Sequence, residues 1–278
     1  MIGVFDSGHG GLTILNELAA TMRRQTLVYL GDHAHAPYGD RPGPEIYELT
    51  RRSVERLFVL DCRLVILACN TASAVALRKL QQEWLPAHWP EHRILGVVVP
   101  TIEAITGVPW LARKTSVSTT PRTVGVFATP ATVHSQVYPI EIAKRAPHIR
   151  VVQQACGELV RQIEAGASRH QMARTVGGAV RELAAKLGGA PLDAVVLGCT
   201  HFQLVRDLFE AELDPGVELI SQPRQVALAL ADYLARHTHF AHARSEVSAP
   251  RLLTSGRADD VSRCAQVLLG RPSQFASV

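Results

Sequence analysis

Short apolar runs alternate with longer amphipathic stretches from one end of the chain to the other. Ile2–Phe5, Leu27–Leu30, Leu64–Ala68 and Ile94–Val98 are four or five residues each and almost wholly apolar, which suits buried strands. A second series follows at Thr123–Ala128, Ile149–Val152, Ala194–Leu197, Val217–Ile220 and Arg251–Thr254. Between them, Glu45–Leu60, Thr71–Trp84, Gln171–Leu187 and Arg224–Leu234 carry apolar residues at helical spacing. Strands apolar on both faces and joined by crossover helices predict an α/β fold of mostly parallel sheets flanked by helices.

In open sheets of this kind, functional groups gather beyond the carboxyl ends of the strands. Asp6-Ser7-Gly8 follows the first run, Gly31-Asp32 the second and Cys69-Asn70-Thr71 the third. Thr129-Pro130-Ala131-Thr132 and Cys199-Thr200-His201 follow two of the later ones. Small, polar or nucleophilic residues at every one of these places describe a cleft. Two of the places echo each other, because Val65–Thr71 (VILACNT) and Val195–His201 (VVLGCTH) share one design. Each is a buried-type strand ending in a small residue, then Cys, then hydroxyl or amide groups opening a helix. Two matching half-sites predict two similar lobes with the active site in the cleft between them. The first is expected to span residues 1–98 plus 207–278, and the second residues 99–206.

A cysteine at a strand–helix junction faces free backbone N–H groups, which favour its thiolate. Cys69 and Cys199 are therefore expected to be exposed in the cleft with lowered pKa values. Cys62, Cys156 and Cys264 read as small buried hydrophobes. A pair of thiols on opposite sides of one carbon suits proton transfer, one sulfur removing an α-proton while the other delivers a proton to the opposite face. No covalent adduct, and so no cofactor, is needed. Five widely spaced cysteines, an odd number, fit free thiols in a reducing compartment rather than a disulfide framework.

Composition narrows the classes further. A chain of 278 residues, 47% hydrophobic and 19% charged, has the balance of a packed globular protein. A formal charge of +4 with 5% aromatics and no basic–aromatic run gives no footprint for nucleic acid. No basic leader and no run of 18 apolar residues is present, so neither export nor membrane insertion is expected, and the location reads as cytoplasmic. Gly8-His9-Gly10-Gly11 fits the dinucleotide fingerprint poorly, and none of the strand-end motifs carries the lysine a pyridoxal site would need. Asp32-His33-Ala34-His35 has metal-binding residue types without further spaced ligands, and reads as a loop with exposed histidines. Arg113–Arg122 reads as a polar surface loop.

The segments DSGHGGL (Asp6–Leu12), PYG (Pro37–Gly39), ACNTAS (Ala68–Ser73), ATPAT (Ala128–Thr132) and LGCTHF (Leu197–Phe202) resemble the glutamate racemases, in order and over nearly the whole chain. The resemblance implies cofactor-independent interconversion of L- and D-glutamate, supplying D-glutamate for peptidoglycan. It implies Cys69 as the base for the D-isomer and Cys199 for the L-isomer, with Asp6 and His201 setting their protonation. A helix glutamate of the family corresponds best to Glu164, in a segment that lacks the usual proline. Ser7, Asn70, Thr71, Ser73, Thr129, Thr132 and Thr200 would hold the substrate's charged groups, with Pro37, Tyr38 and Gly39 closing over its side-chain carboxylate. Racemases of this kind commonly form dimers, so a homodimer is expected. The chain departs from the family at His33, His35, Gln203 and Ser221-Gln222-Pro223, none of which removes a catalytic group. The competing readings are an aspartate racemase, a decarboxylase of the same superfamily (which would keep one cysteine) and a non-catalytic amino-acid-binding protein.

Overall fold

The structure, a computed structural model, describes residues 1–109, 120–241 and 249–278. Ten strands form two sheets. They are β1 (Ile2–Asp6), β2 (Leu27–Gly31), β3 (Leu64–Leu67), β4 (Arg93–Gly96), β5 (Arg122–Ala128), β6 (Ile149–Ala155), β7 (Ala194–Gly198), β8 (Glu218–Ile220), β9 (Arg251–Thr254) and β10 (Phe275–Ser277). The first sheet has the order β10-β9-β2-β1-β3-β4 and the second β6-β5-β7-β8. All of their pairings are parallel.

Alternation along the strands explains why helices cover both faces. Phe5, Val28, Leu30, Val65 and Leu67 join one apolar cluster, while Ile2, Val4, Leu27, Tyr29, Leu64 and Ile66 join another on the opposite face. In the second sheet Phe127, Val195 and Leu197 point one way, and Val124, Val126, Ala194 and Val196 the other. Burial on both faces makes the strands near-continuous apolar runs, which is what rendered them visible in the sequence.

Strand order also positions the cleft. From β1 the chain moves outward to β2 and then returns to place β3 on β1's other side. From β5 it moves to β6 and returns to place β7 likewise. Each sheet thus has one switch point, between β1 and β3 and between β5 and β7, where diverging connections leave a crevice at the strands' carboxyl ends. Asp6 and Cys69 lie at the first, Thr129 and Cys199 at the second.

The sheet pairing moves the expected lobe boundary. β8 pairs with β7, so the chain remains in the second sheet well past residue 207. It returns with helix Gln222–Arg236, whose Val226, Ala227, Leu230 and Leu234 enter the first lobe's core beside Leu15 and Leu18. The sequence boundary followed the Cys199 motif and undervalued Glu218–Ile220, three residues that complete the second sheet. Two other expectations shift. Ile94–Val98 ends as a strand at Gly96, and helix Val98–Thr106 begins immediately. Thr71–Trp84 is several short helical pieces with a π-type turn at Leu80–Trp84, just before Pro86, which brings no backbone N–H. Most of Arg113–Arg122 lies outside the described residues. No helix among the described residues is long and apolar enough to cross a membrane.

Candidate active site

Both thiols are buried, Cys69 at 5% exposure and Cys199 at 6%. The expectation of exposed cysteines is therefore corrected, and for Cys69 so is that of a lowered pKa. Cys69 is the N-cap of helix Asn70–Val75, and its Sγ does accept the Ala72 N–H, at 3.5 Å. The Ser7 hydroxyl stands 3.5 Å from the same sulfur. Burial outweighs both, and with the nearby Asp6 carboxylate it pushes the thiol up to about 12. All five cysteines are free, and Cys264 is the one partly exposed.

Around Cys199 the surroundings differ. His201 Nδ1 lies 3.9 Å from its sulfur, and Nε2 of the same ring lies 2.5 Å from Glu164 Oε1. Burial disfavours an imidazolium there, but the hydrogen bonds to Cys199 and Glu164 and the carboxylate's charge raise His201 well above its ordinary value. Glu164 answers to a second histidine, because His9 Nδ1 is 2.8 Å from Oε2 and the His9 N–H donates to Oε1 at 3.2 Å. Burial raises the Glu164 carboxyl, yet the two histidines prevail and hold it far below the usual carboxylate range. His9 in turn reaches about 10, with burial opposed by Cys264 and Glu164.

Asp6 joins the halves. Its Oδ1 accepts the Gly8 N–H at 2.9 Å and its Oδ2 the Thr200 hydroxyl, from the other lobe, at 3.0 Å. Complete burial raises its carboxyl despite the His201 charge and these donors. A second bridge is made of hydroxyls. Thr71 Oγ1 lies 2.9 Å from Thr129 Oγ1, and Thr129 donates to Thr132 at 3.0 Å. The lobes approach closely at Gly10, where a Cβ would stand 2.5 Å from Thr200 Oγ1 and 2.6 Å from the His201 nitrogen. At Gly39 a Cβ would stand 2.7 Å from that of Thr129. Cβ atoms do not fit at either place.

Other expected residues are occupied elsewhere. Ser73 donates to the Leu67 carbonyl at 2.9 Å, so its hydroxyl secures the turn after β3 rather than facing the cleft's hydroxyls. Asn70 is held by Gln222 and by the Tyr138 hydroxyl, with its amide donating to Gln222 Oε1 at 2.7 Å. Tyr38 is buried and donates to Asp32 at 2.6 Å, next to the cis peptide between Ala36 and Pro37. The histidine loop is less exposed than its sequence implies. His33 packs edge-on to His9, with ring centroids 4.3 Å apart, and its Nδ1 meets the Thr254 hydroxyl at 2.9 Å. Burial and the neighbouring His9 charge lower His33 to about 3, so it is neutral. His35 stays half-exposed beside Asp32.

Sequence reasoning missed His9 and Gln222. His9 was visible as the histidine inside DSGHGGL, and Gln222 as a departure before a proline. Neither says what it contacts until strands more than 100 residues apart are brought together.

Three comparisons bear on this arrangement. The family model described as Asp/Glu/Hydantoin racemase matches residues 13–231. A glutamate racemase of Phenylobacterium zucineum is 47% identical over 281 aligned positions, which cover 99% of this chain and 98% of that one. Among solved structures, a glutamate racemase of Francisella tularensis in complex with D-glutamate superposes with a TM-score of 0.83 at 27% identity, covering 100% of this chain and 96% of that one.

Proposed function

The chain belongs to the Asp/Glu/Hydantoin racemase family, and on that premise we propose that it interconverts L- and D-glutamate, with Cys69 and Cys199 as opposed acid–bases. The observation that carries the reading is the pair of thiols at the two switch points, each with a different partner set. Asp6 and Ser7 attend Cys69, and His201 and Glu164 attend Cys199.

The described state suits the L-isomer as first substrate. The Cys69 thiol, kept protonated by burial and Asp6, is the proton donor. Cys199, facing a cationic imidazole, is the acceptor. Transfer of the α-proton to Cys199 Sγ and of the Cys69 proton to the opposite face of the carbon yields the D-isomer, and the reverse direction exchanges the roles. Ser7, Thr71, Thr129, Thr132, Thr200 and the helix N-termini beside them supply neutral donors for the two carboxylates. Pro37, Tyr38 and Gly39 cap the cleft. Burial of both sulfurs means that the lobes or the Tyr38–Gly39 loop open to admit substrate, and closure then strengthens these hydrogen bonds by excluding water. The reading includes a cytoplasmic homodimer that supplies D-glutamate for peptidoglycan, its assembly to be measured by sedimentation.

The test is to incubate the purified protein separately with L-glutamate, L-aspartate and L-alanine and to follow optical rotation. Rotation should decay to zero with glutamate alone, equally after dialysis against EDTA. Faster decay with aspartate would overturn the substrate assignment, and activity abolished by EDTA and restored by a metal would overturn the two-thiol chemistry.

A further inference from the structure

Next to the cleft lies a group of side chains with ligand chemistry of its own. His9 comes from the turn after β1, Glu164 from the end of helix Gly157–Glu164 in the second lobe, and Cys264 from helix Ala258–Leu269 in the first. An imidazole nitrogen, a carboxylate oxygen and a thiol sulfur, one from each, lie within 4.8 Å of one another. Among the described residues no other three His, Cys, Asp or Glu side chains come together in this way.

The outer contacts favour a metal over a chance encounter. His9 Nε2 is 3.1 Å from the Val261 carbonyl, which can only accept, so Nε2 carries a proton. The nitrogen left to bind is Nδ1, and it is the one that faces Glu164, at 2.8 Å. A backbone carbonyl on the outer nitrogen is how histidine ligands are usually oriented. That carbonyl belongs to the same helix as Cys264, one turn earlier. Cys264 Sγ is 3.9 Å from the Glu164 carbonyl, a long contact even for a thiol.

A mixed nitrogen, oxygen and sulfur set suits zinc, whereas magnesium and calcium take oxygen ligands. Donors at about 2.0–2.3 Å from a tetrahedral zinc lie roughly 3.5 Å from each other. His9 and Glu164 would have to part by less than an ångström, and the sulfur would have to draw in. Glu164 keeps 22% of its side chain exposed, and Cys264 is partly exposed, so an ion has a way in.

We propose that His9, Glu164 and Cys264 form an inhibitory zinc site that ties the two lobes together. Zinc enters, the protons on His9 Nδ1 and Cys264 Sγ leave to solvent, and water takes the fourth position. The carboxylate that orients His201 is thereby drawn toward the metal, and the second lobe is fixed to the first. The inhibitory consequence rests on the racemase reading, but the binding does not.

The experiment titrates the chelator-treated full chain with cobalt(II), which reports a thiolate ligand by a charge-transfer band, and then with zinc to displace it. One equivalent should give the band in the wild type and in the inactive Cys69→Ser/Cys199→Ser double variant, and Cys264→Ser should lose it. Cys264→Ser should racemise normally without metal and need at least about tenfold more zinc for half-inhibition. A band lost in the double variant, or zinc inhibition unchanged in Cys264→Ser, would assign the metal to the cleft thiols and overturn the proposal. Should the protein racemise nothing, the cobalt titrations still decide the site.

Discussion

Cys69 and Cys199 stand at corresponding switch points of the two sheets, each just past a buried strand, yet their neighbours have opposite chemistry. Cys69 has a hydroxyl, a helix N–H and a buried carboxylate, and burial with that carboxylate pushes it up to about 12. Cys199 has an imidazole held cationic by a glutamate that is itself fixed by a second histidine. The common frame delivers two sulfurs to one cleft. Residues outside the frame give each sulfur its own partners. Two-base racemisation needs both conditions, since two identical half-sites would begin with two donors or two acceptors.

The difference is broken most completely by removing either sulfur. Cys69→Ser and Cys199→Ser should each reduce racemisation by roughly 10²–10⁴-fold, the usual span for a positioned acid or base. Elimination from a substrate with a leaving group needs one base, so the variants should part company there. Cys69→Ser should keep elimination from the L-type analogue and Cys199→Ser from the D-type, as read by chirally resolved product assays. One cysteine dispensable for both reactions would mean a single-base mechanism.

A finer break leaves the sulfurs in place. Glu164→Gln removes the charge that holds His201 as a cation, a loss of about 1.5–3 kcal/mol and hence roughly ten- to a hundredfold in kcat. The effect should fall on elimination from the L-type analogue, which uses Cys199, and spare the D-type. His9→Asn, one bond further away, should lower the same step by about fivefold, near the net value of one hydrogen bond. Equal losses for both enantiomers in steady-state assays would show that these residues support the fold and not one half of the site.

Much of this was legible in the chain because two physical signals coincide. Strands buried on both faces, such as Leu64–Leu67 and Ala194–Gly198, read as apolar runs, and the residues just past them mark the cleft. What stayed hidden depends on distance. Nothing near Glu164 in sequence distinguishes it from a solvated helix carboxylate, and its importance comes from His9 and His201, 155 and 37 residues away. Cys69 was expected to be acidified because a helix N-terminus is readable locally, whereas the burial that outweighs it is not. β10 escaped notice because Phe275–Ser277 is too short to show a period.

Burial as the dominant cause at Cys69 can be tested on a cysteine with no part in the cleft. Cys62 is wholly buried beneath the first sheet, and burial pushes it up from 9.0 to about 11. Its folded pKa lies above the unfolded one, so its contribution to stability is complete below pH 9 and is lost as the pH rises toward 11, where the unfolded chain sheds a proton that the folded chain keeps. Within that window one such thiol costs about 1.4 kcal/mol per pH unit. Cys62→Ala should therefore be less stable than the wild type at pH 8, through the small cavity it leaves, but should lose stability less steeply between pH 9 and 11. Denaturant midpoints across that range give the slopes. Parallel curves would mean that Cys62 ionises as readily folded as unfolded, and would weaken burial as the reason that Cys69 waits as a thiol.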